Sequence, residues 1–269
     1  MSDERNYIQL SRGGASVISW TNMLTTYGLY VVDKEIYKIP ERSHSLIDVP
    51  GSNGSYAVDD GYYKNIDIWY ELGYTGTTTT IPSLMDSLSA FFAGAYFTGK
   101  YFRVTDSYNP LFFRQAILKG ELNMLQELKS TGKMRLNFSC KPYRYYISGE
   151  TGATLTVTPV EITNPSQESA YPIYTVIALP LSQGAAVTVT IKIDTTEYDI
   201  NIPENSSSYA FVLDCEKKVC YDIDGVVHND WLDFTTFPTF PTGSVNVSAF
   251  PSVSCFGFSA AVRQRWYTL

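Results

Sequence analysis

The sequence predicts a mainly β protein with one principal helix, and three observations carry that prediction. Aromatic residues are dense: 21 Tyr, 14 Phe and 4 Trp in a chain of 269 residues. Such side chains, with β-branched ones, suit the pleated and half-buried surface of a sheet. Only one stretch has a strong helical repeat, the one that starts near Ile81. From Met134 onward, short apolar runs recur roughly every ten residues with turn residues between them, the pattern of an antiparallel sandwich.

The helix is expected at about 82–94. Leu84, Met85, Leu88, Phe91, Phe92 and Ala95 fall on one face at helical spacing. Pro82 suits a first turn, Ser83 with Asp86 makes a start like a capping box, and Gly94 or Gly99 can end the helix. Strands are expected around it at 27–32, 65–70, 101–105 and 111–118, each short, aromatic or β-branched, and bounded by turns. Residues 120–132 stay open, because Leu122, Leu125 and Leu128 suit a helix while both neighbours are strands.

After 134–148, strands are expected at 153–159, 160–164, 173–178, 186–193, 196–202, 208–214, 218–223, 244–250 and 256–266. Asp224-Gly225 and the Glu216-Lys217-Lys218 turn mark hairpins. The chain therefore divides into an α+β domain at 1–137 and an all-β domain at 138–269.

Bulk chemistry excludes several classes. The net charge is −7, and no basic run is long enough to track a phosphate backbone, so nucleic acid is not an expected partner. There is no apolar run of about 18 residues to span a membrane and no secretory leader. Cys140, Cys215, Cys220 and Cys255 form no Cys-x-x-Cys pair. Four buried free thiols are the favoured reading, although a bridge across the Cys215–Cys220 turn is open.

Catalytic motifs are absent. Gly94 to Tyr101 approaches a phosphate loop, but Tyr101 stands where a magnesium-holding hydroxyl is needed, and a helix precedes the loop instead of following it. Asp59-Asp60 reads as a turn and His44 as an exposed loop residue. Asp222-x-Asp224-Gly225 has part of a calcium loop without its other ligands. Asp230 and Asp233 form another acidic pair, yet no pair specifies the cleft of a glycosidase. His228-Asn229-Asp230-Trp231 is the one polar-aromatic cluster. Trp231 could stack a sugar while His228 and Asn229 bond its hydroxyls, but a satisfied loop with Trp231 folded on the sandwich edge is the favoured reading. No enzyme, metal or cofactor is expected.

Several blocks run in a familiar order. Val49-Pro50-Gly51-Ser52-Asn53-Gly54 is followed by Gly61 to Ile68, then the helix from Pro82 and the strand Tyr101 to Asp106. Phe138-Ser139-Cys140-Lys141-Pro142-Tyr143-Arg144 comes next, and the chain closes on Phe237-Pro238, Pro241-Thr242-Gly243-Ser244-Val245-Asn246 and Arg265-Trp266-Tyr267-Thr268-Leu269. This order resembles the distal tail proteins of siphophages, the Dit-like tail components. Departures are Phe240 in place of Leu, an extra Thr242, and Gln264 in place of Pro. The resemblance implies a structural virion protein at the tip of a non-contractile tail. It implies an N-terminal sandwich-plus-helix domain in a hexameric ring and a C-terminal galectin-like β-sandwich without an inserted carbohydrate module. Its implied partners are the tail tube protein, a tail-associated hub protein and a receptor-binding protein. The alternative is a carbohydrate-binding tail adhesin that uses the C-terminal sandwich.

Overall fold

A computed structural model of the chain describes residues 5–11, 19–95, 101–120, 132–182, 184–264 and 267–268. They form two compact units that divide between Arg144 and Tyr145.

The first unit is built on one sheet and one long helix. Its elements are β1 (Ile8–Ser11), β2 (Thr21–Asn22), α1 (Met23–Tyr27), β3 (Leu29–Glu35), β4 (Arg42–Asp48), β5 (Ser55–Tyr63) and β6 (Ile66–Tyr74). They continue with α2 (Ile81–Ala95), β7 (Phe102–Asp106), β8 (Phe112–Leu118) and β9 (Lys133–Tyr146). The main sheet runs β2-β1-β7-β8-β9-β6-β3, and among the described residues β4 pairs only with β5.

The pairing of β6 with β9 sets Ile66, Ile68, Tyr70 and Leu72 opposite Cys140, Phe138, Leu136 and Met134. All eight are buried. Against this face α2 buries Ile81, Leu84, Met85, Leu88 and Phe92 in the same core. Phe102 and Tyr70 pack edge-to-face on Phe138 at 5.9 and 6.1 Å. The Tyr70 hydroxyl donates to Asp106 Oδ2 at 2.7 Å, which removes the cost of burying it.

The helix is where the sequence places it, with one change at its start. A 3-10 turn at Thr78–Thr80 runs directly into Ile81, so Ser83 lies inside the first turn and does not cap. A second helix was not foreseen. In α1, Asn22 Oδ1 accepts from the N–H groups of Leu24 and Thr25, and Gly28 closes the end at φ 69°. Tyr27 consequently ends a helix, and the strand starts at Leu29.

The second unit contains β10 (Ala153–Leu155), β11 (Val160–Asn164), β12 (Ile173–Pro180), β13 (Val187–Ile193) and β14 (Thr196–Ile202). It continues with β15 (Ala210–Asp214), β16 (Val219–Asp222), β17 (Gly243–Pro251) and β18 (Cys255–Arg263). They make two antiparallel sheets, β10-β18-β12-β15-β16 and β11-β17-β13-β14, in a sandwich-like arrangement. Alternate residues point inward: Tyr174, Val176 and Ala178 from one sheet, Val187, Val189, Ile191 and Ile193 from the other. Tyr174 meets Phe240 edge-to-face at 6.2 Å.

Most strand boundaries of this unit differ from expectation by a residue or two, and two differ by more. The strand expected over 153–159 stops at Leu155, and the one expected over 256–266 runs Cys255–Arg263. All four cysteines are free, which settles the Cys215–Cys220 question against a bridge. Three are buried, whereas Cys255 is only partly so. Burial pushes the Cys140 and Cys220 thiols up to about 12, so they remain protonated and unreactive. Residues 121–131, where helix and strand were both open, lie outside the described residues, as do 96–100 of the near phosphate loop and Arg265 and Trp266.

Leu88 tests the helix–sheet core directly. Leu88→Ala should lower the unfolding free energy by about 2–5 kcal/mol. Ser89→Ala, on the exposed face of the same helix, should stay within about 0.5 kcal/mol. Denaturant titration of the two variants checks this, and equal midpoints would contradict the packing.

Candidate functional site

The most unusual surface of the first unit is the hairpin β4–β5. The register runs Asp48↔Ser55, Ile47↔Tyr56, Leu46↔Ala57, Ser45↔Val58 and His44↔Asp59. Gly51 and Gly54 take φ of 83° and 86° in the connection, a conformation that L side chains avoid. From His44 to Tyr62 every residue is exposed.

Alternation gives this arm two unlike faces. Ser45, Ile47, Tyr56 and Val58 share one, with Asp60 bonded to Ser45 beside them, and His44, Leu46, Asp48, Ser55, Ala57 and Asp59 share the other. The first holds an apolar stripe in which Ile47, Tyr56 and Val58 are 50, 62 and 46% exposed. A two-stranded hairpin is marginal in water without something covering its apolar face.

Polar contacts hold the root. Arg42 grips Asp59 through two guanidinium bonds, Nε to Oδ1 at 3.0 Å and Nη2 to Oδ2 at 2.6 Å. The same guanidinium lies 4.9 Å over the Tyr63 ring. Asp60 accepts from Ser43 at 2.7 Å and Ser45 at 2.8 Å, and Lys64 pairs with Glu41 at 2.8 Å. Arg42, with help from the Gly61 N–H, holds the Asp59 carboxyl below the usual range, and the two serines do the same for Asp60.

The expectations for Asp59, Asp60 and His44 therefore need correction. Neither aspartate is in a turn; both lie in β5, pointing to opposite faces, and His44 lies in β4. The sequence does contain a signal for the hairpin. Turn residues from Pro50 to Gly54 sit between two runs bearing Leu, Ile, Tyr and Val.

In the second unit His228, Asn229 and Trp231 do come together, at the turn after β16. Trp231 is only 3% exposed, and His228 stacks on it at 4.0 Å and 12°. Asn229 Oδ1 accepts from Cys220 N at 2.8 Å. Asp222, itself buried, accepts from the N–H groups of Asp224 and Val226 at 3.0 and 2.9 Å, and lies 3.3 Å from His228 Nε2. Burial alone would raise the Asp222 carboxyl, but the Val226 N–H, His228 and the Asp224 N–H together hold it below 3.8. These contacts fix a turn; they also leave little Trp231 surface for a sugar to stack on. Among the described residues no group of three or more His, Cys, Asp or Glu could hold a metal ion.

Asp222 makes the turn acid-sensitive. Its folded value is depressed, so its contribution is present above the ordinary 3.8 and disappears as pH falls through the lower folded value. Asp222→Asn should flatten the acid limb of a melting-midpoint-versus-pH curve below that value; an unchanged limb would remove Asp222 from the turn's support.

Comparisons with known proteins add a fold. No protein-family model and no curated protein matches the sequence. Among solved structures, the Dit protein of phage SPP1, described as a paradigm of the hub adsorption apparatus in phages infecting Gram-positive bacteria, matches with a TM-score of 0.57 at 12% identity, over 97% of this chain and 99% of that one. Chains of the phage p2 baseplate in its activated conformation match as well. The form with Sr gives 0.52 at 8% identity over 96 and 97% of the two chains, and the form with Ca gives 0.53 at 10% over 97 and 98%. The chain thus shares its fold, from end to end, with phage Dit and baseplate proteins.

Proposed function

We propose that this chain is a structural, non-enzymatic protein of a phage tail tip that assembles into a hexameric ring. The observation that carries the proposal is the likeness over 96–97% of the chain to Dit and baseplate structures, since both units and their order are matched together. The β4–β5 arm supports it independently. Its apolar stripe has no cover among the described residues of the unit, and a head-to-tail contact with the next copy, repeated by rotation, closes into a ring.

In this reading residues 1–137 make the subunit contacts. Residues 138–269 form a galectin-like sandwich that carries receptor-binding proteins, and the ring joins the tail tube protein to the tail-associated hub. Its place is the virion tail tip. No cofactor takes part. Trp231, His228 and Asn229 serve the Asp222 turn in this assignment; the rival adhesin reading instead requires saccharide binding that Trp231→Ala abolishes.

Light scattering of the purified chain tests assembly. A hexamer of 30.1 kDa protomers that forms ring-shaped particles is expected. Replacing Ile47 and Val58 together by Asp should give folded monomers with an unchanged circular dichroism spectrum. Rings that survive the double replacement would rule out the arm, and a monomer that stays monomeric with tube and hub proteins present would rule out the ring.

A further inference from the structure

A small cavity in the first unit, distinct from the arm, is lined by Ile36, Tyr37, Asp106, Phe112, Arg114 and Arg144 among others. Its volume is about 20 Å³, room for a single water-sized occupant. Arg114 Nη1 is buried there and has no hydrogen-bond partner. The other terminal nitrogen, Nη2, reaches only Ile36 O at 3.4 Å. An unsatisfied buried donor on a cation is costly, so its cavity is expected to hold an acceptor.

Two of the acceptor groups in the wall, the Asp106 carboxylate and the Phe112 carbonyl, already take hydrogen bonds. Asp106 Oδ2 takes the Tyr70 hydroxyl, and Oδ1 takes the N–H groups of Tyr108 and Asn109 at 2.8 and 2.9 Å. Phe112 O takes the Thr105 hydroxyl at 2.6 Å. A water seated here would receive a hydrogen bond from Arg114 and would have to share Asp106 or Phe112 with donors already on them. A monatomic anion only accepts. Charge agrees with this choice, because the lining holds two guanidinium groups and one carboxylate. Burial lowers the affinity of Arg114 for its proton, and the positive charge of Arg144 adds to the effect; an anion opposes both.

We infer that this cavity is a binding site for one halide-sized inorganic anion, chloride in chemical class, held by Arg114 Nη1. Through its other terminal nitrogen, Arg114 in β8 already reaches Ile36 O in the segment after β3, so an ion on Nη1 would sit beside that link.

Two measurements decide it. Crystals of the full chain grown or soaked in bromide should show an anomalous peak in contact with Arg114 Nη1. At fixed ionic strength the wild type should melt about 2–4 °C higher in chloride than in gluconate, which is too large for the cavity. Excluded solutes such as gluconate tend to stabilise proteins by themselves, so the expected sign opposes that general effect. Arg114→Gln should abolish the chloride advantage. Water density without an anomalous peak, or equal midpoints in the two salts, overturns the site; the bromide map on wild-type protein decides even if the variant fails to fold.

Discussion

The register between β6 and β9 is the constraint on which the first unit depends. Side chains alternate along a strand, so a slip by one residue turns the whole apolar set to the wrong face. Here the pairs Ile66↔Cys140, Ile68↔Phe138, Tyr70↔Leu136 and Leu72↔Met134 all look toward α2. The intervening pairs look away and are matched in another manner. Glu71 faces Arg135 across the ladder and bonds Lys133 at 2.6 Å. Arg135 covers the Trp69 ring at 3.6 Å, and Trp69 Nε1 donates to Glu35 at 2.6 Å. Exposed ion pairs of this kind add little stability singly. Their use is to penalise the slipped register, in which charge would enter the core and Phe138 would leave it.

The same alternation explains why the arm is different in kind. In β6 and β9 the apolar face is covered by a helix of the same unit; in β4 and β5 no described residue of that unit covers it. Polar chemistry at the root, Arg42 with Asp59 and Asp60 with two serines, fixes the pairing where the strands leave the body. Beyond Ser45 the hairpin relies on its own ladder and on Asp48 with Ser55. A chain that fixes the register of a hairpin and leaves its apolar face open has a surface suited to another molecule.

How much of this was legible in the sequence follows from where the cover lies. The strands of the second unit were readable because both of its sheets bury one face within the unit, which imprints apolar alternation on Val187 to Ile193 and on Val245 to Ala249. The α2 stripe was readable for the same reason. In the arm only the turn at Pro50 to Gly54 gave a signal, because a face without an internal partner has no reason to be uniformly apolar: Ser45 and Asp60 interrupt it. With five residues, α1 is too short for a helical period, and only its caps, Asn22 and Gly28, betray it. The cluster of His228, Asn229 and Trp231 was found by residue type alone. What residue type could not convey was that Asn229 would be spent on the Cys220 backbone and Trp231 on its neighbours.

The likeness in fold at only 8–12% identity rests on the same physics. A sheet face asks for a class of side chain at alternate positions, not for a particular residue, and volume-conserving exchanges are tolerated in cores. Identity can therefore erode while order, register and the helix over the sheet persist. Contact surfaces are under a different demand, because each must fit its own partner. Two proteins with one fold can then differ most where they bind. In this chain that argument points to the stripe formed by Ile47, Tyr56 and Val58, whose exact side chains the fold does not dictate and whose exposure the fold does not relieve.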